Sequence, residues 1–238
     1  MRTIYSKYDK TQIGSLPRIN FEGRIIVLLT EREAEKAVDY LLKQDILGVD
    51  TETRPIFKRG HQNKVALLQV STEDTCFLFR LNRIGLCPPV KRLLEAETPK
   101  KIGLSWHDDL MMLHKRGEFS EAGFIDLQDH MRELGIEDLS LAKLYANIFG
   151  QRISKREQLS NWEAAVLTEK QKLYAATDAW ACIQLYKEYE RLKETGDFEL
   201  IKVKKEEPAE PDNPESPESP GMPTTFTRTV TVGSCTSL

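Results

Sequence analysis

The sequence predicts an α/β layer fold, one mixed sheet of about five or six strands flanked by helices. Three observations carry that reading. Leu47-Gly48-Val49-Asp50-Thr51-Glu52-Thr53 reads as a buried strand that ends in two carboxylates. Two capping boxes, Thr30 to Glu33 and Thr168 to Gln171, each open a run of apolar residues at helical spacing. Strand-like and helix-like segments alternate along most of the chain, which favours a layered sheet over separate all-α or all-β units.

Taken in order, residues 1–20 are polar and mixed, contain Pro17, and read as an N-terminal arm. Arg24 to Leu29 is a first strand. Behind the Thr30 cap, Ala34, Ala37, Val38, Leu41 and Leu42 recur at helical spacing. Ile46 to Thr51 is the central strand. Residues 54–63, with Arg54, Pro55, Lys58, Arg59 and Gly60, form a polar loop. Val65 to Ser71 and Thr75 to Arg80 are two strands joined by an acidic turn. Pro88-Pro89 opens a helix carrying Val90, Leu93 and Leu94. Lys101 to Ser105 is a short strand leading into a helix that starts at Trp106. Gly123 to Leu127 is another short strand. Leu139 to Phe149 is helical and stops at Gly150. The Thr168 cap starts a long helix to about Leu192, with Leu173, Thr177, Trp180 and Leu185 near one stripe.

Past Ile201 the composition changes. Lys204 to Pro220 alternates Pro, Glu, Ser and Asp, with too little apolar content to offset chain entropy. The expected organisation is therefore an arm over 1–20, a domain over 21–202 and an acidic, Pro-rich disordered tail over 203–238.

Composition narrows the class. Of 238 residues, 40% are hydrophobic, enough for a core. No apolar run approaches the ~18 residues of a membrane helix, and the first residues lack the apolar core of a secretory signal. Cys76, Cys87, Cys182 and Cys235 have neither metal-ligand nor redox-motif spacing. Reduced thiols and a cytoplasmic location are expected, with no membrane partner. The net charge is −3, and the tail holds six acids against three bases, so the preceding residues are neutral overall. Neutrality leaves room for a basic groove beside an acidic site.

In a strand, residues two apart share a face, so Asp50 and Glu52 project together with Thr51 opposite. Two such charges need an Arg or Lys pair or a divalent cation. Asp109 lies in the first turn of the helix from Trp106, either as a ligand or as an acid favoured by the helix dipole. Tyr174 and Asp178 are four apart on the long helix and face one side, either as site residues or as a core tyrosine with a polar neighbour.

With these residues in this order, the chain resembles the DEDD 3′–5′ exonucleases, in the branch with a tyrosine in the last motif, like the ribonuclease D and Werner-syndrome exonuclease domains. Val49-Asp50-Thr51-Glu52 matches the first motif. Ala66-Leu67-Leu68-Gln69-Val70 looks like the strand that follows it. Lys101-Ile102-Gly103 followed by Asp109-Leu110 matches the second motif, and Tyr174-Ala175-Ala176-Thr177-Asp178 the third. Leu139-Ser140-Leu141, Lys155 and Ser160-Asn161-Trp162 also look familiar. The resemblance covers roughly residues 22–195 and implies a ribonuclease H-like sheet.

It further implies hydrolysis of phosphodiester bonds at the 3′ end of RNA or DNA, with release of nucleoside 5′-monophosphates from single-stranded or 3′-recessed nucleic acid. Two divalent metal ions, Mg²⁺ or Mn²⁺, are the implied cofactors. By resemblance Asp50 bridges them, Glu52 and Asp178 hold the water-activating ion, and Asp109 holds the second. Tyr174 would orient the attacking water. Asp108 competes with its neighbour Asp109 for the inward position; an acid directly before Leu110 favours Asp109. Asp126 reads as a cap or a contributor to the site, and His107 as a helix-start polar residue or a ligand contact. Lys155, Arg156, Arg54, Lys58 and Arg59 are candidates to touch phosphate. Trp106 and Trp162 either stack bases or belong to the core. The competing function is a non-catalytic binding module that keeps the fold. Protein partners are not legible.

Overall fold

The computed structural model describes residues 1–56 and 63–203. The expectations for Lys58, Arg59 and the tail from Lys204 onward lie outside the described residues.

The chain begins with β1 (Arg2–Tyr5) and the short helix α1 (Lys10–Ile13). It continues through β2 (Arg24–Leu28), α2 (Glu31–Leu41), β3 (Ile46–Glu52), β4 (Leu67–Ser71) and β5 (Thr75–Phe79). Next come α3 (Leu81–Ile84), α4 (Pro88–Glu95), β6 (Lys100–Gly103) and α5 (Trp106–His114). The remainder is β7 (Phe124–Asp126), α6 (Leu127–Glu133), α7 (Leu141–Phe149), α8 (Glu169–Thr195) and β8 (Phe198–Ile201). Met1–Val203 forms one compact unit.

Six strands form a mixed sheet in the order β2-β5-β4-β3-β6-β7. The β3-β4 and β4-β5 pairs are antiparallel; β2-β5, β3-β6 and β6-β7 are parallel. This is the mixed α/β sheet the sequence predicts. Both capping boxes form: the Thr30 hydroxyl accepts from the Glu33 amide while the Glu33 carboxylate accepts from the Thr30 amide, and Thr168 with Gln171 does the same. Gly150 ends α7 in a left-handed conformation with φ of 63°, where glycine has no Cβ to clash.

One difference concerns the arm. Residues 2–5 fall within the polar, mixed 1–20 stretch but pair as β1 in parallel with β8, and Ile4 is fully buried. A four-residue strand whose partner lies almost 200 positions away leaves no local periodicity to read.

The sheet has a core on each face. Leu47 and Val49 of β3 pack with α2, α4 and Trp106 of α5. On the opposite face, Ile102 packs with α6, α7 and the middle of α8, and Leu67 and Leu78 pack with Ala175, Ala176 and Trp162. Helix α8 crosses directly over β3. A Cβ on Gly48 would collide with the Ala179 carbonyl, so only glycine permits the helix backbone to lie this close to the strand. Small residues at Ala175, Ala176, Ala179 and Ala181, all buried, serve the same close approach from the helix side.

Candidate active site

The site forms where β3 ends beneath α8. Strand alternation turns Gly48, Asp50 and Glu52 toward α8 and leaves Leu47, Val49 and Thr51 for the other face. With Gly48 against Ala179, Asp178 on the preceding helical position comes down beside Asp50. One carboxylate oxygen from each of Asp50, Glu52 and Asp178 lies within 4.8 Å of the others. These three and Tyr174 line an open cleft of about 530 Å³, with Leu141 and Ile153 on an apolar wall.

Electrostatically the cluster is unbalanced. Burial pushes the Asp50, Glu52, Asp178 and Asp109 carboxyls above the ordinary range. For Asp50 the charges of Asp178 and Asp109 add to that, and for Glu52 the charge of Asp50 does. The compensations are slight. Gln69 Nε2 donates to Asp50 Oδ2 at 3.4 Å, and the Tyr174 hydroxyl and the Lys155 ammonium pull Asp178 partly back. Asp178 Oδ1 is buried with no hydrogen-bond partner among the described residues. Crowded, desolvated carboxylates with an orphaned oxygen and little cationic counter-charge suit a hard divalent cation. The donor set therefore fits divalent metal binding.

Asp109 reaches the site from the far face of the sheet. Its carboxylate accepts a hydrogen bond from the Thr51 hydroxyl, so it stands at the end of β3 but outside the 4.8 Å group. Asp108, one residue earlier, is exposed, as is His107. Tyr174 is 9% exposed and its ring lies 6.0 Å from that of Trp162. Burial and the neighbouring carboxylates push its hydroxyl well above the usual phenol range.

The other candidates separate. Lys155 lines the cleft, while Arg156 is exposed and does not. Arg54 is ion-paired with Glu163 at 3.3 Å. Trp106 is corrected: at 4% exposure it sits in the core with its ring edge-on to Phe124, centroids 4.7 Å apart, and offers no face to a base. Trp162 is fully buried too. Asp126 accepts from three backbone amides around the starts of α5 and α6. Sequence reasoning passed over two residues. Gln69 is a lone polar side chain in the apolar run Ala66–Val70, and that was its signal. Thr51, expected opposite Asp50 and Glu52, lines the same cleft and donates its hydroxyl hydrogen bond to Asp109.

A family model described as 3′-5′ exonuclease matches residues 25–192. The chain belongs to the 3′–5′ exonuclease family. The mouse bifunctional 3′-5′ exonuclease/ATP-dependent helicase WRN is 32% identical over 205 residues, which is 82% of this chain and 15% of the relative. The chain thus spans a small part of that curated relative. Among solved structures, the Aedes aegypti Nibbler EXO domain shares the fold with a TM-score of 0.66 at 21% identity, covering 75% of this chain and 92% of that one. Trypanosoma brucei RNase D, solved in complex with RNA U12, gives 0.61 at 19% identity, over 70% of this chain and 62% of that one. Family membership places the chain in the 3′–5′ exonuclease class, and the solved structures share its mixed α/β fold. Among the described residues, no helix is long and apolar enough to cross a membrane.

Proposed function

We propose that the chain removes nucleoside 5′-monophosphates stepwise from the 3′ end of RNA or DNA, single-stranded or 3′-recessed, with two divalent cations, Mg²⁺ or Mn²⁺. The observation that carries the proposal is the convergence of Asp50, Glu52 and Asp178 within 4.8 Å at the floor of an open cleft. Asp50 would be shared between the ions, Glu52 and Asp178 would hold one, and Asp109 the other. Bound cations neutralise charge on the transferring phosphoryl group and lower the pKa of water.

The chain's own groups supply the rest. Tyr174 lines the cleft with Asp178, and a neutral phenol donates a hydrogen bond, so its part would be to orient the attacking water against Asp178. Lys155 lines the same cleft and would meet a phosphate oxygen, as a mobile point charge suits. The apolar side of the cleft, Leu141 and Ile153, would pack the terminal sugar and base. Arg54, held by Glu163 in an exposed ion pair worth little, would exchange that partner for the strand's phosphates. Catalysis is assigned to residues 21–202, to which the N-terminal segment is joined by the β1–β8 pairing, with residues 203–238 following as a tail. A cytoplasmic location agrees with the free thiols of Cys76, Cys87 and Cys182.

The test is degradation of end-labelled RNA and DNA strands with Mg²⁺, Mn²⁺ or EDTA. Stepwise shortening from the 3′ end, stopped by EDTA and by Asp50→Asn, is expected. Full activity in EDTA, or cleavage of circular strands, overturns the reading.

A further inference from the structure

A carboxylate outside the metal cluster sets where α5 begins. Ser105, the residue before α5, has φ of 63° and ψ of 44°, and its own side chain makes no capping bond. Among the described residues it alone is a non-glycine with positive φ. L-residues keep that conformation only where the surroundings hold it.

Asp126 does the holding. Its Oδ1 accepts from the Ser105 amide at 3.0 Å and its Oδ2 from the Trp106 amide at 2.9 Å. The same Oδ1 accepts from the Gln128 amide at 2.9 Å and so caps α6. Asp126 ends β7, and in the sheet it is paired with Gly103, which ends β6. One side chain therefore ties together the exits of two adjacent strands and the starts of the two helices that follow. Each helix brings something to the cleft. Asp109 lies in the first turn of α5 and meets Thr51 at the end of β3. Gln128, on α6, lines the cleft with Asp50, Glu52 and Asp178.

We infer that Asp126 is the positioning residue for the part of the metal site that α5 contributes: it holds the left-handed Ser105 turn that aims Asp109 at the end of β3. This rests on the metal-dependent reading above. A carboxylate is suited to the task because it presents two acceptors to three amide donors. Asparagine would face the Trp106 amide with an NH₂ group, losing one bond, and alanine would lose all three.

The experiment uses the full chain with Asp126→Asn, Asp126→Ala and each combined with Ser105→Gly. Asp129→Asn, on α6 but ion-paired with Arg132 at the surface, is the control. Mn²⁺ binding is followed by titration calorimetry, folding by thermal melting without metal, and rate by metal titration on a labelled strand. Partners that orient metal ligands are worth ~10–100-fold in metal affinity. Asp126→Ala is expected to fall in that range, Asp126→Asn to lose less, and Ser105→Gly to restore part of each loss, because glycine holds the left-handed turn without help. Wild-type Mn²⁺ affinity in Asp126→Ala overturns the inference. So do equal losses in both variants that Ser105→Gly leaves unchanged, since those report charge rather than positioning. If Asp126→Ala does not fold, the Asp126→Asn pair decides on the same terms. A wild-type chain that binds no Mn²⁺ removes the metal-dependent reading itself, and this inference with it.

Discussion

Gly48 and Ala179 meet backbone to backbone: the Ala179 carbonyl occupies the space a Cβ on Gly48 would need. Asp50 lies two residues along the strand and Asp178 one residue back along the helix, so this crossing fixes the gap between two members of the carboxylate cluster. Gly48→Ala must push α8 away from β3. Overpacking of this kind costs about 1–3 kcal/mol, and the displaced Asp178 should lower the rate further than the lost folded fraction explains. Thermal melting and single-turnover rates on the same sample check this. A stable variant with wild-type rates would show that the crossing tolerates a methyl group.

The cluster also sets the sign of a pH effect. Burial raises the folded-state pKa of Asp178 to about 7 and of Glu52 to about 10, above the ordinary carboxylate values near ~4. A raised carboxyl contributes stability that is complete below its unfolded pKa and is lost as pH rises through its folded pKa. The metal-free protein should therefore melt at lower temperature as pH goes from about 5 to about 8. Mn²⁺ should oppose the trend, because it binds the folded state. The slope should flatten in Glu52→Gln, which cannot ionise. A metal-free midpoint that climbs with pH more steeply than that of Glu52→Gln contradicts the assignment.

Asp109 faces Thr51 while Asp108 faces solvent. Asp109→Ala should nearly abolish turnover, whereas Asp108→Ala should keep much of it. The opposite ranking would require α5 to be rotated by about 100°. Thr51→Val offers a finer probe. It frees Asp109 from its hydrogen bond and should change metal affinity while leaving the sheet packing intact.

Tyr174 and Asp178 share a helix face and differ in kind. Tyr174→Phe keeps the ring beside Trp162 and removes only the hydroxyl, so metal affinity should hold while the rate drops by ~10²-fold, the scale of a positioned acid–base group. Asp178→Asn removes ligand charge, so higher Mn²⁺ should recover part of its loss. Metal titrations of both variants separate the two roles. Wild-type rates for Tyr174→Phe at saturating metal would return the tyrosine to the core.

Several elements could be read directly because their causes are local. The Thr30 and Thr168 caps are satisfied within four residues, the β3 alternation is a property of any strand, and the order of Asp50, Glu52, Asp109, Tyr174 and Asp178 along the chain carries the family resemblance. The rest depended on distant partners. Arg2–Tyr5 became a strand only because Phe198–Ile201 lies beside it. Trp106 was ambiguous until Gly103 and Phe124 closed around it, since an indole at a helix start has the same local sequence whether it is buried or free. Thr51 and Asp109 meet at one strand end although they stand 58 positions apart, and no periodicity links them. The sequence by itself pointed to the groups to which chemistry is assigned. The packing of α8 on β3, and the Asp126 bonds that start α5, decided the distances and angles at which those groups meet, because these are set by contacts between residues far apart in the chain.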